Sequence, residues 1–114
     1  MDLNVVKLFI ETGEKKSTKV IKLSNNSPYV IGRQSADLAI KDALVSRRHC
    51  QLVIEAGALS VEDLGSSNGI EVNGSGTNRT RLKVNDQIKL GNTRIKVLEI
   101  SLATKKVRKG GDFF

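Results

Sequence analysis

Ile88-Lys89-Leu90-Gly91-Asn92-Thr93-Arg94-Ile95-Lys96-Val97 alternates apolar and polar residues on both sides of a Gly-Asn pair. Successive side chains of an extended backbone point to opposite faces, so period-two patterning marks a half-buried strand. A two-residue break at Gly91-Asn92 joins two such strands into a tight hairpin. The same period recurs outward through the chain. Val6, Leu8 and Ile10 alternate with Val5, Lys7 and Phe9, and Ile21 and Leu23 alternate with Val20 and Lys22. Cys50, Leu52 and Ile54 share a face, and Leu59 and Val61 follow a turn at Ala56-Gly57. Ile70 and Val72 flank Glu71. Turn-forming clusters recur at Asn25-Asn26-Ser27-Pro28, Ser66-Ser67-Asn68-Gly69, Asn73-Gly74-Ser75-Gly76 and Asn85-Asp86. No window carries a helical apolar stripe. Short alternating strands with frequent turns predict an all-β sandwich.

At 114 residues the chain is sized for one domain with a modest core. The strand pattern stops near Ala103, so residues 1–103 are read as the domain and 104–114 as a basic C-terminal tail or linker. No apolar run reaches membrane-spanning length, and Met1-Asp2-Leu3-Asn4 is not the basic start of a secretory signal. The single cysteine, Cys50, has no partner for an internal disulfide, which fits a reducing cytoplasm. The sequons at Asn25 and Asn78 then read as chance matches in turns. Net charge is +7, of which the tail, through Lys105, Lys106, Arg108 and Lys109 against Asp112, supplies +3. A basic surface favours anionic partners, but charge alone equally describes a solvated face.

Position carries more than charge. Gly32 ends the run Tyr29-Val30-Ile31 and allows a close backbone turn, which places Arg33 at the mouth of a loop. A guanidinium there can give a forked, charge-assisted pair of bonds to phosphate. Ser46-Arg47-Arg48-His49 leads into the next strand. Ser46 offers a hydroxyl donor, and Arg47 or Arg48 adds positive charge. His49 and Cys50 are adjacent on a strand and point to opposite faces, so they are not a catalytic pair. His49 is the only histidine, and Asp37, Asp42 and Asp63 lack metal-loop spacing, so no metal site is expected. The simpler role for His49 is to brace the loop through the backbone. Asp63-Leu64-Gly65-Ser66-Ser67-Asn68-Gly69 ends in an Asn-Gly turn whose amide suits the main chain of an extended peptide. Gly74-Ser75-Gly76 lacks the lysine and helix of a nucleotide-binding loop.

Each of these signals alone has an ordinary structural explanation. Their order resembles the forkhead-associated (FHA) domain: Gly-Arg, then Ser-x-x-His, then Asp-x-x-Ser-x-Asn-Gly, with Asn73 following. The motifs span about residues 30–91, and the flanking strand patterns extend the resemblance to roughly 3–103. It implies an FHA-type β-sandwich of two twisted, largely antiparallel sheets with about eleven strands. It also implies loops at one end that bind phosphothreonine peptides. By that resemblance Arg33, Ser46, Arg47 and Ser67 face the phosphate and Asn68 holds the peptide backbone. Gly32, His49, Gly69 and Asn73 are then the supporting positions. Gly65 departs from the pattern as a flexible residue that loosens the third loop. The segments at Ala43-Leu44 and 74–80 are expected to set selectivity beyond the phosphothreonine.

The function expected is phosphothreonine-dependent peptide or protein binding in Ser/Thr kinase signalling, which recruits or regulates a partner or an attached domain. A monomeric module without a cofactor is expected. The ligand is a phosphothreonine protein or peptide, or an intramolecular segment, for which Thr12, Ser17 and Thr18 are the sequence candidates. The alternative is an FHA-type scaffold that binds without phosphate. Nucleic-acid binding is disfavoured, because aromatics are few and no recognition helix is evident. No membrane partner is expected. An enzyme is disfavoured as well, since no nucleophile–base pair or metal cluster is visible.

Overall fold

In the computed structural model, which describes residues 3–103, the alternating segments form eleven strands. They are β1 (Leu3–Thr12), β2 (Lys15–Ser24), β3 (Tyr29–Gly32), β4 (Leu38–Ala39), β5 (Cys50–Glu55) and β6 (Ala58–Asp63). The second half adds β7 (Ile70–Val72), β8 (Ser75–Thr77), β9 (Arg79–Leu82), β10 (Gln87–Leu90) and β11 (Thr93–Ser101). One sheet has the order β2-β1-β11-β10-β7-β8 and the other β4-β3-β5-β6-β9. Every pairing between these strands is antiparallel except β3 with β4, and an isolated parallel bridge joins Asn25 to Ile54 of β5. The expected tail at 104–114 lies outside the described residues. Among the described residues no helix is long and apolar enough to cross a membrane.

The period-two pattern decides which face each strand buries. On β1, Val6, Leu8 and Ile10 are buried, while Val5, Lys7 and Phe9 between them are half-buried. Ile88 and Leu90 of β10, and Ile95 and Val97 of β11, bury the same sheet's inner face. Ile31, Leu52, Ile54, Leu59 and Val61 close the core from the other sheet. Each such side chain contributes about 1.5–3 kcal/mol by leaving water, which fixes the register because a one-residue slip would expose the whole face. The hairpin expected at 88–97 forms with Leu90 opposite Thr93 and Ile88 opposite Ile95.

Two pairings position the loops that matter. β1 pairs β11 with Thr12 opposite Thr93, so the β1–β2 turn lies at the same end as the Gly91-Asn92 turn. β3 pairs β5 with Ile31 opposite Cys50, which brings the residues after Gly32 beside those before Cys50. The 74–80 segment is largely regular, forming β8 and β9.

Candidate functional site

Backbone bonds first lock the loops after β3 and before β5 together. Arg33 donates its N–H to the Ser46 carbonyl at 2.9 Å, and Gln34 donates to that of Arg47 at 3.1 Å. Gly32 makes this approach possible: a β-carbon there would overlap the Arg47 carbonyl oxygen and stand 2.9 Å from the Arg48 Cα. Asp42 then shapes the loop that leads to Ser46. Its Oδ1 accepts the Leu44 N–H at 2.9 Å, and its Oδ2 accepts the Asn92 N–H at 2.7 Å and the Thr93 hydroxyl at 2.8 Å. Burial alone would raise the Asp42 carboxyl, but these three donors outweigh it and hold the group below its ordinary value. Val45, 1% exposed, anchors the same loop in the core.

His49 is fully buried and joins this loop to the next one. Its Nδ1 accepts the Ser46 N–H at 2.9 Å, so the ring proton sits on Nε2, which donates to the Gly69 carbonyl at 2.8 Å. The third loop has its own frame. Asp63 Oδ2 accepts the N–H groups of Gly65 and Ser66, each at 3.0 Å, and its Oδ1 accepts the Ser66 hydroxyl. Ser66 Oγ in turn accepts the Gly69 N–H at 2.8 Å. Gly65 has φ 75° and is bonded into this frame. A glycine meets this left-handed backbone without strain and lets the Asp63 turn close.

These frames bring Arg33, Ser46, Arg47, Ser67 and Asn68 around one open concavity of about 310 Å³, with residues 43–45 completing its wall. Arg33 Nε donates to the Val45 carbonyl at 3.0 Å, which aims the side chain while engaging neither terminal nitrogen. Ser46 Oγ accepts the Ser67 N–H at 3.1 Å, so its own proton is available to donate outward. Asn68 Nδ2 donates to the Leu44 carbonyl at 2.8 Å, leaving Oδ1 as an acceptor. Arg48, by contrast, donates to the Ser35 carbonyl at 3.0 Å, which separates the two neighbouring arginines: Arg47 faces the concavity and Arg48 braces the loop. Among the described residues, no carboxylate lies within 4 Å of Arg33 or Arg47.

Asn73 is not part of that wall. It sits at the β7–β8 turn with φ 52°, donates Nδ2 to Asp86 at 3.0 Å and accepts the Gln87 N–H at 3.0 Å. The 74–80 segment does not line the concavity either, whereas Ala43 and Leu44 do. Thr12 is tied to Thr93, hydroxyl to hydroxyl at 3.2 Å, while Ser17 and Thr18 are exposed on β2. Sequence reasoning tested Asp42 and Asp63 for metal spacing and gave them no structural role. Asp followed two or three residues later by a backbone N–H to cap is a recognisable turn signal. The long-range bonds from Asn92 and Thr93 to Asp42 have no such local signature. Among the described residues, no three His, Cys, Asp or Glu side chains group as a metal site. A separate groove of about 860 Å³ lies between the β8 and β9 edges and contains none of these donors.

A sandwich of this topology with anion donors gathered on its loops defines a class of binding module, and the sequence comparisons name it. The FHA domain family model matches residues 29–91, more than half of the chain, and the protein belongs to that family. The oxoglutarate dehydrogenase inhibitor of Corynebacterium efficiens is 38% identical over 60 residues, 53% of this chain and 42% of that protein. The glycogen accumulation regulator GarA of Mycolicibacterium smegmatis is 35% identical over 60 residues, 53% of this chain and 38% of that protein. The match thus spans less than half the length of these curated relatives. A domain solved in a study of phosphothreonine-dependent FHA domain interactions superposes with a TM-score of 0.72 at 30% identity. That match covers 83% of this chain and 96% of the solved one.

Proposed function

We propose that this protein binds phosphothreonine-containing segments of proteins and so recruits or regulates a partner in Ser/Thr kinase signalling. The observation that carries this reading is the convergence of free donors on one concavity. The two terminal nitrogens of Arg33, the Arg47 guanidinium and the Ser46 and Ser67 hydroxyls surround it, and among the described residues no carboxylate pairs with these arginines. Phosphothreonine brings about −1.5 to −2 charge and three acceptor oxygens, which matches that donor set. Asn68 offers Oδ1 to a peptide N–H beside the phosphorylated residue. Gly32, His49 and Gly69 hold the loops at bonding distance, and Asn73 supports the neighbouring β7–β8 turn.

Binding rather than catalysis is the role assigned. Among the described residues neither serine of the concavity has a general base beside it, since the His49 ring nitrogens are both spent on backbone groups. A segment of the same polypeptide is chemically as suitable a ligand as a separate protein. The reducing cytoplasm is the compartment assigned, in keeping with one buried thiol, Cys50. Calorimetric titration with a phosphothreonine peptide and its unphosphorylated twin tests the reading. Binding of the phosphorylated form alone is expected. Equal binding of the two would instead support a scaffold that ignores phosphate.

A further inference from the structure

We propose that a basic cleft beside the phosphate concavity binds an acidic stretch flanking the phosphothreonine. The inference rests on the phosphothreonine reading and extends it to the partner's flanking sequence. On β2 the odd-numbered residues face inward, where Ile21 and Leu23 are buried. Further along the same face stand Lys19, Ser17 and Lys15, all exposed. The second sheet ends nearby in β4, only two residues long. The result is a cleft of about 760 Å³ walled by Lys15 and Lys19 on one side and Lys41 on the other, over Ile10 and Ile40.

Lysines outnumber carboxylates in this cleft, three to two. Among the described residues, none of the three lysines has a carboxylate within 4 Å; the hairpin's ion pair is Lys16 with Glu11 at 3.8 Å. Glu14 and Asp42 also line the cleft and keep their charge, Asp42 while accepting from Leu44, Asn92 and Thr93, so the lysines exceed the carboxylates by one. Three exposed ammonium groups with no carboxylate within 4 Å, set beside an apolar floor, leave the cleft's lysines able to pair with the carboxylates of an incoming segment. Among the described residues no aromatic side chain lines the cleft to stack a base, so a carboxylate-rich peptide suits it better than a nucleic acid.

The cleft and the concavity are two sides of one rib. Asp42 and Asn92 line the cleft, while Ala43 and Leu44 line the concavity. Thr12 opposite Thr93 keeps the β1–β2 hairpin at that end of the sandwich. An extended peptide advances about 3.3 Å per residue, so a few residues beside the phosphothreonine cross from one to the other. Charges at such exposed sites speed encounter and add selectivity more than raw affinity.

The experiment uses the full chain and phosphothreonine peptides flanked by glutamates or by glutamines, placed before or after the phosphothreonine. One glutamate peptide is expected to bind about tenfold tighter than its glutamine counterpart at low salt, with the advantage shrinking toward ~0.5 M salt. The combined K15Q, K19Q and K41Q variant should erase the advantage and leave the glutamine peptide's affinity unchanged. Reversal to K15E, K19E and K41E should make the glutamate peptide the weaker ligand. Equal affinity of the paired peptides on both sides, or an advantage that survives the lysine substitutions, overturns the inference alone. A DNA duplex that binds as tightly as the glutamate peptide, and is released by the same substitutions, overturns the choice of occupant. Failure of every phosphopeptide to bind overturns the phosphothreonine reading and this inference with it.

Discussion

Replacing Arg33 is the sharpest probe of the proposed phosphate site, because its geometry separates a tether from a fork. Nε is held by the Val45 carbonyl at 3.0 Å, so both terminal nitrogens can approach one phosphate. Two charge-assisted bonds at ~1.5 kcal/mol each, the low end suited to an open site, come to about 3 kcal/mol. That corresponds to roughly two decades in affinity, so Arg33→Ala should weaken a phosphothreonine peptide about a hundredfold. Arg33→Lys keeps the charge but supplies one compact donor that cannot also hold Val45, and a loss of about tenfold is expected. Because Arg33 is exposed and contributes one side-chain bond to the fold, both variants should stay within about 1 kcal/mol of wild-type stability. Fluorescence anisotropy with a labelled peptide, run beside denaturant unfolding, measures both quantities. A folded Arg33→Ala protein that binds within threefold of wild type would refute the forked contact.

Other expectations follow from the frames behind the site. Gly32→Ala forces a methyl against the Arg47 backbone and should cost about 1–3 kcal/mol in denaturant unfolding, together with most of the phosphopeptide binding. His49→Ala strands the Ser46 N–H and the Gly69 carbonyl; a loss of roughly 2–5 kcal/mol, read by thermal or urea unfolding, is expected. Asp42 and Asp86 are both held below their ordinary values, against burial, by hydrogen bonds. Their contribution to stability is therefore complete above the unfolded carboxylate value near 3.9 and fades as pH falls through the lower folded values. The D42N/D86N protein should be less stable at pH 7 and should lose less on acidification, as measured by urea unfolding across that range. Burial pushes the Cys50 thiol up to about 12, so thiol reagents should modify it only on unfolding, as a mass-spectrometric time course with and without denaturant would show.

The strands were legible in the sequence because burial on one face leaves a period-two trace. Val6, Leu8 and Ile10, or Ile88, Leu90, Ile95 and Val97, show it without any knowledge of their partners. The residues that line the concavity were legible through motif order, since turn chemistry and anion donors occupy short, contiguous stretches. The supporting carboxylates were harder to read. Asp63 caps its own loop within three residues, a local pattern open to recognition. Asp42 reaches Asn92 and Thr93, fifty positions away, and sequence spacing holds no record of that. Gly65 carries a feature hidden from sequence for a related reason: its left-handed backbone and its bond to Asp63 appear only in the folded loop.

Sequence alone therefore determined the all-β class, the FHA resemblance and the set of polar side chains available to an anion, because these depend on local periodicity and on short motifs. Tertiary structure decided how that set is used. The β3–β5 pairing, the buried His49 and the Asp42 link to the β10–β11 turn bring three loops to one place. Arg47 was separated from Arg48 by a bond to Ser35, and Asn73 was separated from the concavity by its bond to Asp86. The lysines of β2 became one wall of a cleft only when Lys41 arrived opposite them. Chain proximity sets none of these relations; they arise because burying the two sheets' apolar faces against each other fixes where every loop must end.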